Sequence, residues 1–250
     1  MSLVFTTTSC DMDLTPDSAV PEHEALRTID DCDAWVVGIY SAFKNSALYS
    51  GYMTLLPDIQ ADMAYAALNT NNGFYTNIYQ WDIKSTTDEI IAVYNGLYTI
   101  VARCNFFLDY KDQVEVNLKT TADKDNFKKR LGEVYFARAM AYAELIRLFC
   151  EPMTSVNADT ENMGICLPTT YRDDVPKVKR STLRESYNQI ISDLKSAEDN
   201  LPDSRTVADS HYFSKGAVYA LRARIYMYMG MGDLKRDRNN EYLKKSVEAA

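Results

Sequence analysis

The 250-residue sequence has only two histidines, His23 and His211. Its five cysteines, at 10, 32, 104, 150 and 166, form no C-x-x-C pair. That pattern lacks the ligand cadence of a zinc site, so neither a metal centre nor a cofactor is expected. An odd set of thiols cannot all pair within one chain. Concentrated positive charge is missing as well. Lys and Arg number 27 against 35 Asp and Glu, a net charge of -8. The longest basic clusters, Lys128-Lys129-Arg130 and Lys177-Val178-Lys179-Arg180, are short and flanked by acids. Nucleic-acid binding and bulk attraction to anionic lipid are both disfavoured. Neither a G-x-S-x-G nor a G-x-x-x-x-G-K-[ST] string occurs. No internal segment approaches the ~20 apolar residues expected of a bilayer-spanning helix. Asp58 and Asp62 are spaced i,i+4 and would share a face if their segment were helical. Glycosidases instead need two carboxylates across a cleft. The sequence therefore predicts a protein that is not an enzyme.

Aromatic residues are what the chain has in excess. Tyr contributes 18 residues, twice the 9 of Phe, beside 2 Trp. Tyrosine joins an apolar face to a hydroxyl that needs a partner, which suits wet helix interfaces and ligand surfaces alike. Hydrophobic residues at 46% and charged residues at 25% are ordinary for a folded domain.

Apolar spacings of three and four predict helices over about 31–48, 88–108, 123–149, 181–200 and 214–229, with a further periodic stretch at 241–250. Asp30-Asp31 is placed to cap the first. Thr86 with Glu89, and Thr182 with Glu185, have capping-box spacing. The longest stripe carries Phe127, Leu131, Val134, Tyr135, Arg138, Tyr142, Leu145, Ile146 and Phe149. Arg138 on that stripe either pairs with an acid from an adjacent helix or snorkels past the tyrosines. Residues 51–77 lose the periodicity. Residues 153–180 form a long connection that is either a functional loop or a cover over the helices. The expected fold is mostly α, with tetratricopeptide-like paired helices and long irregular loops.

The amino terminus has two readings. Leu3-Val4-Phe5, then Thr6-Thr7-Thr8-Ser9-Cys10 and acidic Asp11 and Asp13, reads as the end of a bacterial lipoprotein signal with Cys10 as lipid attachment. It also reads as an ordinary N-terminus with a chance cysteine. On the first reading, residues 1–9 are a residual export-signal segment and 10–250 a helical domain; the last periodic stretch stops without a cap or a partner pair, so that domain is expected to be truncated at its C-terminus.

Four strings converge on one family. They are Cys10-Asp11-Met12-Asp13-Leu14-Thr15-Pro16; Gly132 to Pro152, with Tyr135-Phe136-Ala137-Arg138-Ala139-Met140-Ala141-Tyr142 at its centre; Arg180 to Leu194, followed by Ala197 and Leu201-Pro202; and Ser214 to Gly230. In this order they resemble the N-terminal half of the SusD/RagB family across about residues 10–250. Cys150-Glu151 before Pro152 departs from the leucine-phenylalanine-glycine-x-proline string common there. The resemblance implies a SusD-like helical fold and a non-catalytic, surface-exposed lipoprotein of the Bacteroidetes outer membrane. It also implies binding of an oligosaccharide or another nutrient polymer, and delivery to a SusC-like TonB-dependent transporter. A generic helical-repeat scaffold for protein–protein interaction is the alternative.

The family has no motif that fixes ligand residues, so these come from local chemistry. Sugar recognition pairs flat aromatic faces with planar amides. The segment from Asn69 to Trp81 has that composition and lies between predicted helices, where loops carry function. Trp81, Tyr75, Asn72, Asn71 and Tyr79 are the expected ligand residues. The alternative is that Trp81 and Tyr79 pack beneath the loop.

Overall fold

Three helices begin on the same chemistry. Thr28, Thr120 and Thr182 each accept the N3 backbone N–H on the hydroxyl, while Asp31, Asp123 and Glu185 accept the cap's own N–H. Each capping box satisfies two donors that a helix start leaves orphaned. Together they open α1 (Ile29–Phe43), α5 (Thr121–Phe149) and α6 (Leu183–Asn200). The computed structural model describes residues 21–67, 73–171, 178–232 and 239–250. It adds α2 (Tyr52–Gln60), α3 (Thr76–Tyr79), α4 (Asp88–Glu115), α7 (Lys215–Met231) and α8 (Asn240–Ala249).

Several boundaries differ from expectation for local reasons. The cap of α1 is Thr28, with Asp31 as its reciprocal partner and not the cap itself. That helix stops at Phe43, where the Asn45 side chain takes the Ala47 N–H at 2.9 Å and turns the chain. The Thr86–Glu89 box does not form. Thr87 is the N-cap of α4, and its hydroxyl accepts from the Lys84 backbone N–H at 3.0 Å. The stretch expected to be irregular holds α2 and α3, which are 9 and 4 residues long. Such short runs carry little periodicity, and Pro57 inside α2 reads as a helix breaker. Asp62 lies beyond α2 with φ 57°, so it does not share a helical face with Asp58.

Among the described residues there is no strand, only one antiparallel bridge between Cys166 and Arg180. Successive helices pack on one another: α4 on α5, α5 on α6, α6 on α7 and α7 on α8, with α1 laid against both α4 and α5. Tyr142, Phe107, Leu97, Ile100, Leu145, Ile190 and Leu194 are fully enclosed between these layers. Contrary to expectation, α4 is long and apolar enough by length and composition to cross a bilayer. Here it is a bundle helix, burying Val93, Leu97, Ile100, Val101, Cys104 and Phe107 against its neighbours.

Polar anchors thread this core. The Arg138 guanidinium donates twice to Asp193 of α6, at 2.8 and 2.7 Å, and once to Asn105 of α4 at 2.8 Å. The pairing of Arg138 with an acid on an adjacent helix is thus the alternative that the fold adopts. Glu133 is wholly enclosed and accepts from Arg130 and Arg205. Cys32 and Cys104 are buried free thiols, and Cys150 and Cys166 are partly exposed ones.

The described part of the connection between α5 and α6 packs over the helices. The Tyr98 hydroxyl donates to the Cys166 carbonyl at 3.0 Å, the Tyr142 hydroxyl to the Pro168 carbonyl at 2.5 Å, and Asn105 Nδ2 also to Pro168 at 2.7 Å. Gly164 fixes its closest approach. The Gly164 N–H donates to the Ser181 carbonyl at 2.8 Å, and a Cβ at this position would stand 2.2 Å from the Thr182 carbonyl oxygen. That neighbour is backbone at the cap of α6, so it cannot yield cheaply. Gly164→Ala is expected to destabilise the protein by about 1–3 kcal/mol, as overpacking does. A urea midpoint equal to wild type would show that this approach is loose.

Candidate functional site

Between α2 and α4, several large apolar side chains are exposed near the expected ligand residues. Tyr65 is 81% exposed, Phe74 68% and Trp81 64%, with Met63 beside them in sequence at 80%. Large apolar groups left in water close together in sequence make this stretch a candidate interaction surface.

The backbone explains why Trp81 faces water. Its N–H donates to the Ile78 carbonyl at 3.1 Å, and the Asp82 N–H reaches back to the Asn77 carbonyl at 2.8 Å. This double bond pattern closes α3 as a Schellman motif, and its first residue past the cap must be left-handed, a place usually held by glycine. Trp81 occupies it with φ 58°. A bulky residue there is an outlier, and such outliers cluster at ligand sites. Ile78, fully buried, pins the single turn of α3 to the core, so the turn is a rigid mount for the ring.

Tyr75 is also left-handed, with φ 59°, at the N-cap of the same turn. Its ring meets Tyr52 edge-on at 6.1 Å and lies 6.3 Å from Phe74. Tyr75 and Tyr79 are partly buried and pack against the core. Trp81 is exposed, whereas Tyr79 contributes to packing against the core. Asp82 and Lys84 form an exposed ion pair at 3.1 Å next to Trp81, a pairing that adds little to stability in water. Asn71, Asn72 and Cys10 lie outside the described residues. A cavity of about 290 Å³ opens beside α2, walled by Tyr52, Leu56, Gln60, Lys84 and Phe149. Tyr52, Phe74 and Tyr65 are the surface residues that sequence reasoning did not single out. Their signal was weak, because it depends on recognising α2 and its turn inside an aperiodic stretch.

Chemically, this stretch offers aromatic faces and a nearby carboxylate and ammonium, and Lys84 and Tyr52 connect it to the cavity beside α2. Among the described residues there is no group of three or more His, Cys, Asp or Glu able to hold a metal ion. Aromatic faces beside charged groups can meet a ligand that has both apolar faces and hydroxyl edges.

Comparison with known proteins gives a consistent likeness. Residues 12–227 match the SusD-like family described as "Starch-binding associating with outer membrane". A SusD-like protein of Formosa agariphila is 22% identical over 230 residues, 91% of this chain and 42% of that protein. A second from the same organism is 24% identical over 237 residues, 88% of this chain and 39% of the relative. The chain thus spans less than half the length of the curated relatives it matches. In fold it is similar to a SusD homolog from Bacteroides thetaiotaomicron, with TM-score 0.74 and 22% identity over 91% of this chain and 41% of that one. It is also similar to a laminarin-binding SusD-like protein, with TM-score 0.63 and 19% identity over 89% of this chain and 43% of that one.

Proposed function

The chain belongs to the SusD-like family of proteins described as starch-binding and associating with the outer membrane, and from that membership we propose that it is a non-catalytic glycan-binding protein. The observation that carries the reading is Trp81, a strained, rigidly mounted and exposed ring at the end of α3. In this reading Trp81 and Tyr75 supply stacking faces, and Tyr79 supports them. Asn71 and Asn72, close in sequence, add planar hydrogen-bonding groups.

The wider role follows the same premise. Residues 10–250 form the N-terminal helical domain of a longer SusD-like protein, with helix pairs arranged as in tetratricopeptide repeats. Cys10 carries a lipid that anchors the protein at the outer surface of the outer membrane, and the bound glycan passes to a SusC-like TonB-dependent barrel. Delivery of glycan is a binding task and asks for no catalytic group in this role.

Titration calorimetry with maltoheptaose and laminarihexaose tests the binding claim. Starch is in the family's description and laminarin in that of one structural neighbour, which makes these two glucans the first probes. Millimolar or tighter binding of either supports it. Absence of binding to both, and to a broad glycan array, overturns it. The anchor has its own test: lipid labelling of the precursor is expected to vanish in Cys10→Ala, and unchanged labelling would remove Cys10 from that role.

A further inference from the structure

A second cavity, of about 370 Å³, opens where the C-terminal ends of α5 and α7 meet the early turns of α6. Tyr187, Tyr228, Pro152 and Met231 line it, together with Arg147 and Cys150. The end of α5 separates it from the first cavity: Leu148 and Phe149 line that one, Arg147 and Cys150 this one.

Tyr187 sets this cavity apart. The residue is only 2% exposed, yet no hydrogen bond reaches its hydroxyl among the described residues. Other tyrosines of the interior are served: buried Tyr142 donates to Pro168, half-buried Tyr98 to Cys166, and half-buried Tyr40 accepts from the Phe213 N–H. Nor is the Tyr187 hydroxyl sealed away. Among the described residues, the one enclosed side-chain polar atom without a partner is a Glu22 carboxylate oxygen. The Tyr187 hydroxyl therefore meets the open space of the cavity. A buried phenol left in this state is a donor and acceptor waiting for a ligand atom.

The surroundings narrow the ligand. Tyr228, Pro152 and Met231 give apolar faces. Arg147, held by Glu144 at 2.6 Å through its Nε, places a fixed guanidinium at the lining. The volume lies at the small end of ligand sites and suits one or two sugar rings. Resting on the glycan-binding reading above, we propose that this cavity is a second saccharide subsite, taking a terminal pyranose whose oxygen bonds the Tyr187 hydroxyl while its C–H face lies on the Tyr228 and Pro152 side. It is separate from the Trp81 surface and recognises a chain end or branch, where the exposed rings recognise chain length.

Cys150 is a built-in reporter, because it is a partly exposed thiol lining the cavity. Its alkylation by iodoacetamide, followed by peptide mass mapping, is measured with and without maltose and laminaribiose. One of these disaccharides is expected to slow Cys150 alkylation at least fivefold in wild type and in Trp81→Ala. Tyr187→Phe keeps the ring and removes only the hydroxyl. It is expected to need at least tenfold more sugar for the same protection, with an unchanged melting temperature. No protection in wild type, while maltoheptaose or laminarihexaose still binds, overturns the subsite and leaves the Trp81 surface standing. A thiol that resists alkylation with or without sugar shows the cavity closed by protein and overturns it too. Equal protection in Tyr187→Phe and wild type removes Tyr187 as the recognising group. Failure of every saccharide to bind overturns this proposal and the glycan reading together.

Discussion

Asp193→Ala is expected to cost about 3–5 kcal/mol of stability, the range for breaking a buried ion pair from one side. Asp193 and Arg138 have side chains only 2% and 6% exposed, and they meet through two parallel N–H to oxygen bonds. Removing the carboxylate leaves a guanidinium in the core with Asn105 and the Thr169 carbonyl as its remaining acceptors. Neither carries a compensating charge. Burial pushes the Asp193 carboxyl up, and the hydrogen bonds and charge of Arg138, with a further bond from Gln189, work against that rise. The pair is thus a balance of desolvation against geometry. A double substitution, Arg138→Met with Asp193→Leu, is expected to recover most of the loss, because no buried charge is then left alone. Urea denaturation of the wild type and the two variants decides it. A single mutant within about 0.5 kcal/mol of wild type would mean that water reaches the guanidinium and the pair is not part of the core.

The same pair shows what the sequence could and could not reveal. A charge on an otherwise apolar stripe marked Arg138 as needing a partner, since a buried guanidinium must be paired. Which acid answers it was not legible. Asp193 lies 55 residues away, on a helix rich in acids, and only the packing of α5 on α6 selects it. The long helices were legible for a related reason: over four or more turns the three-and-four spacing repeats often enough to stand out. Two short helices were not, because α2 and α3 offer too few repeats and one contains Pro57. Capping was read correctly at Thr182 with Glu185, where the hydroxyl and carboxylate are three apart. At Thr86 it failed by one residue, because the Thr87 hydroxyl found the Lys84 N–H first. The family was legible from four strings in order, and the match over residues 12–227 covers the second and third in full and most of the first and fourth. In the candidate site, composition drew attention to Tyr75 and Trp81. Their left-handed backbones were invisible, since these follow from where a four-residue helix starts and stops.

That backbone gives the sharpest test of Trp81. Trp81→Ala is expected to weaken glucan binding by about 1–3 kcal/mol, tenfold to more than a hundredfold, in line with the loss of an aromatic anchor. Stability is expected to stay within about 0.5 kcal/mol, because a ring 64% exposed contributes little to the core. Trp81→Gly separates the roles further. At φ 58° a side chain costs about 1–2 kcal/mol that glycine avoids, partly offset by the greater freedom glycine has when unfolded. The glycine variant is therefore expected to be about 0.5–1 kcal/mol more stable than wild type and as poor a binder as the alanine variant. A residue kept only for packing gives the opposite pattern, with both substitutions lowering the melting temperature and neither touching affinity selectively. Calorimetric titration with maltoheptaose or laminarihexaose, paired with melting curves for all three proteins, distinguishes the two. Stability gained and binding lost at one position means that the strain at the end of α3 is borne for the sake of a ring in solvent. Affinity unchanged in both variants takes Trp81 out of the site, and the case for the surface would then rest on Phe74, Tyr65 and Tyr75 alone.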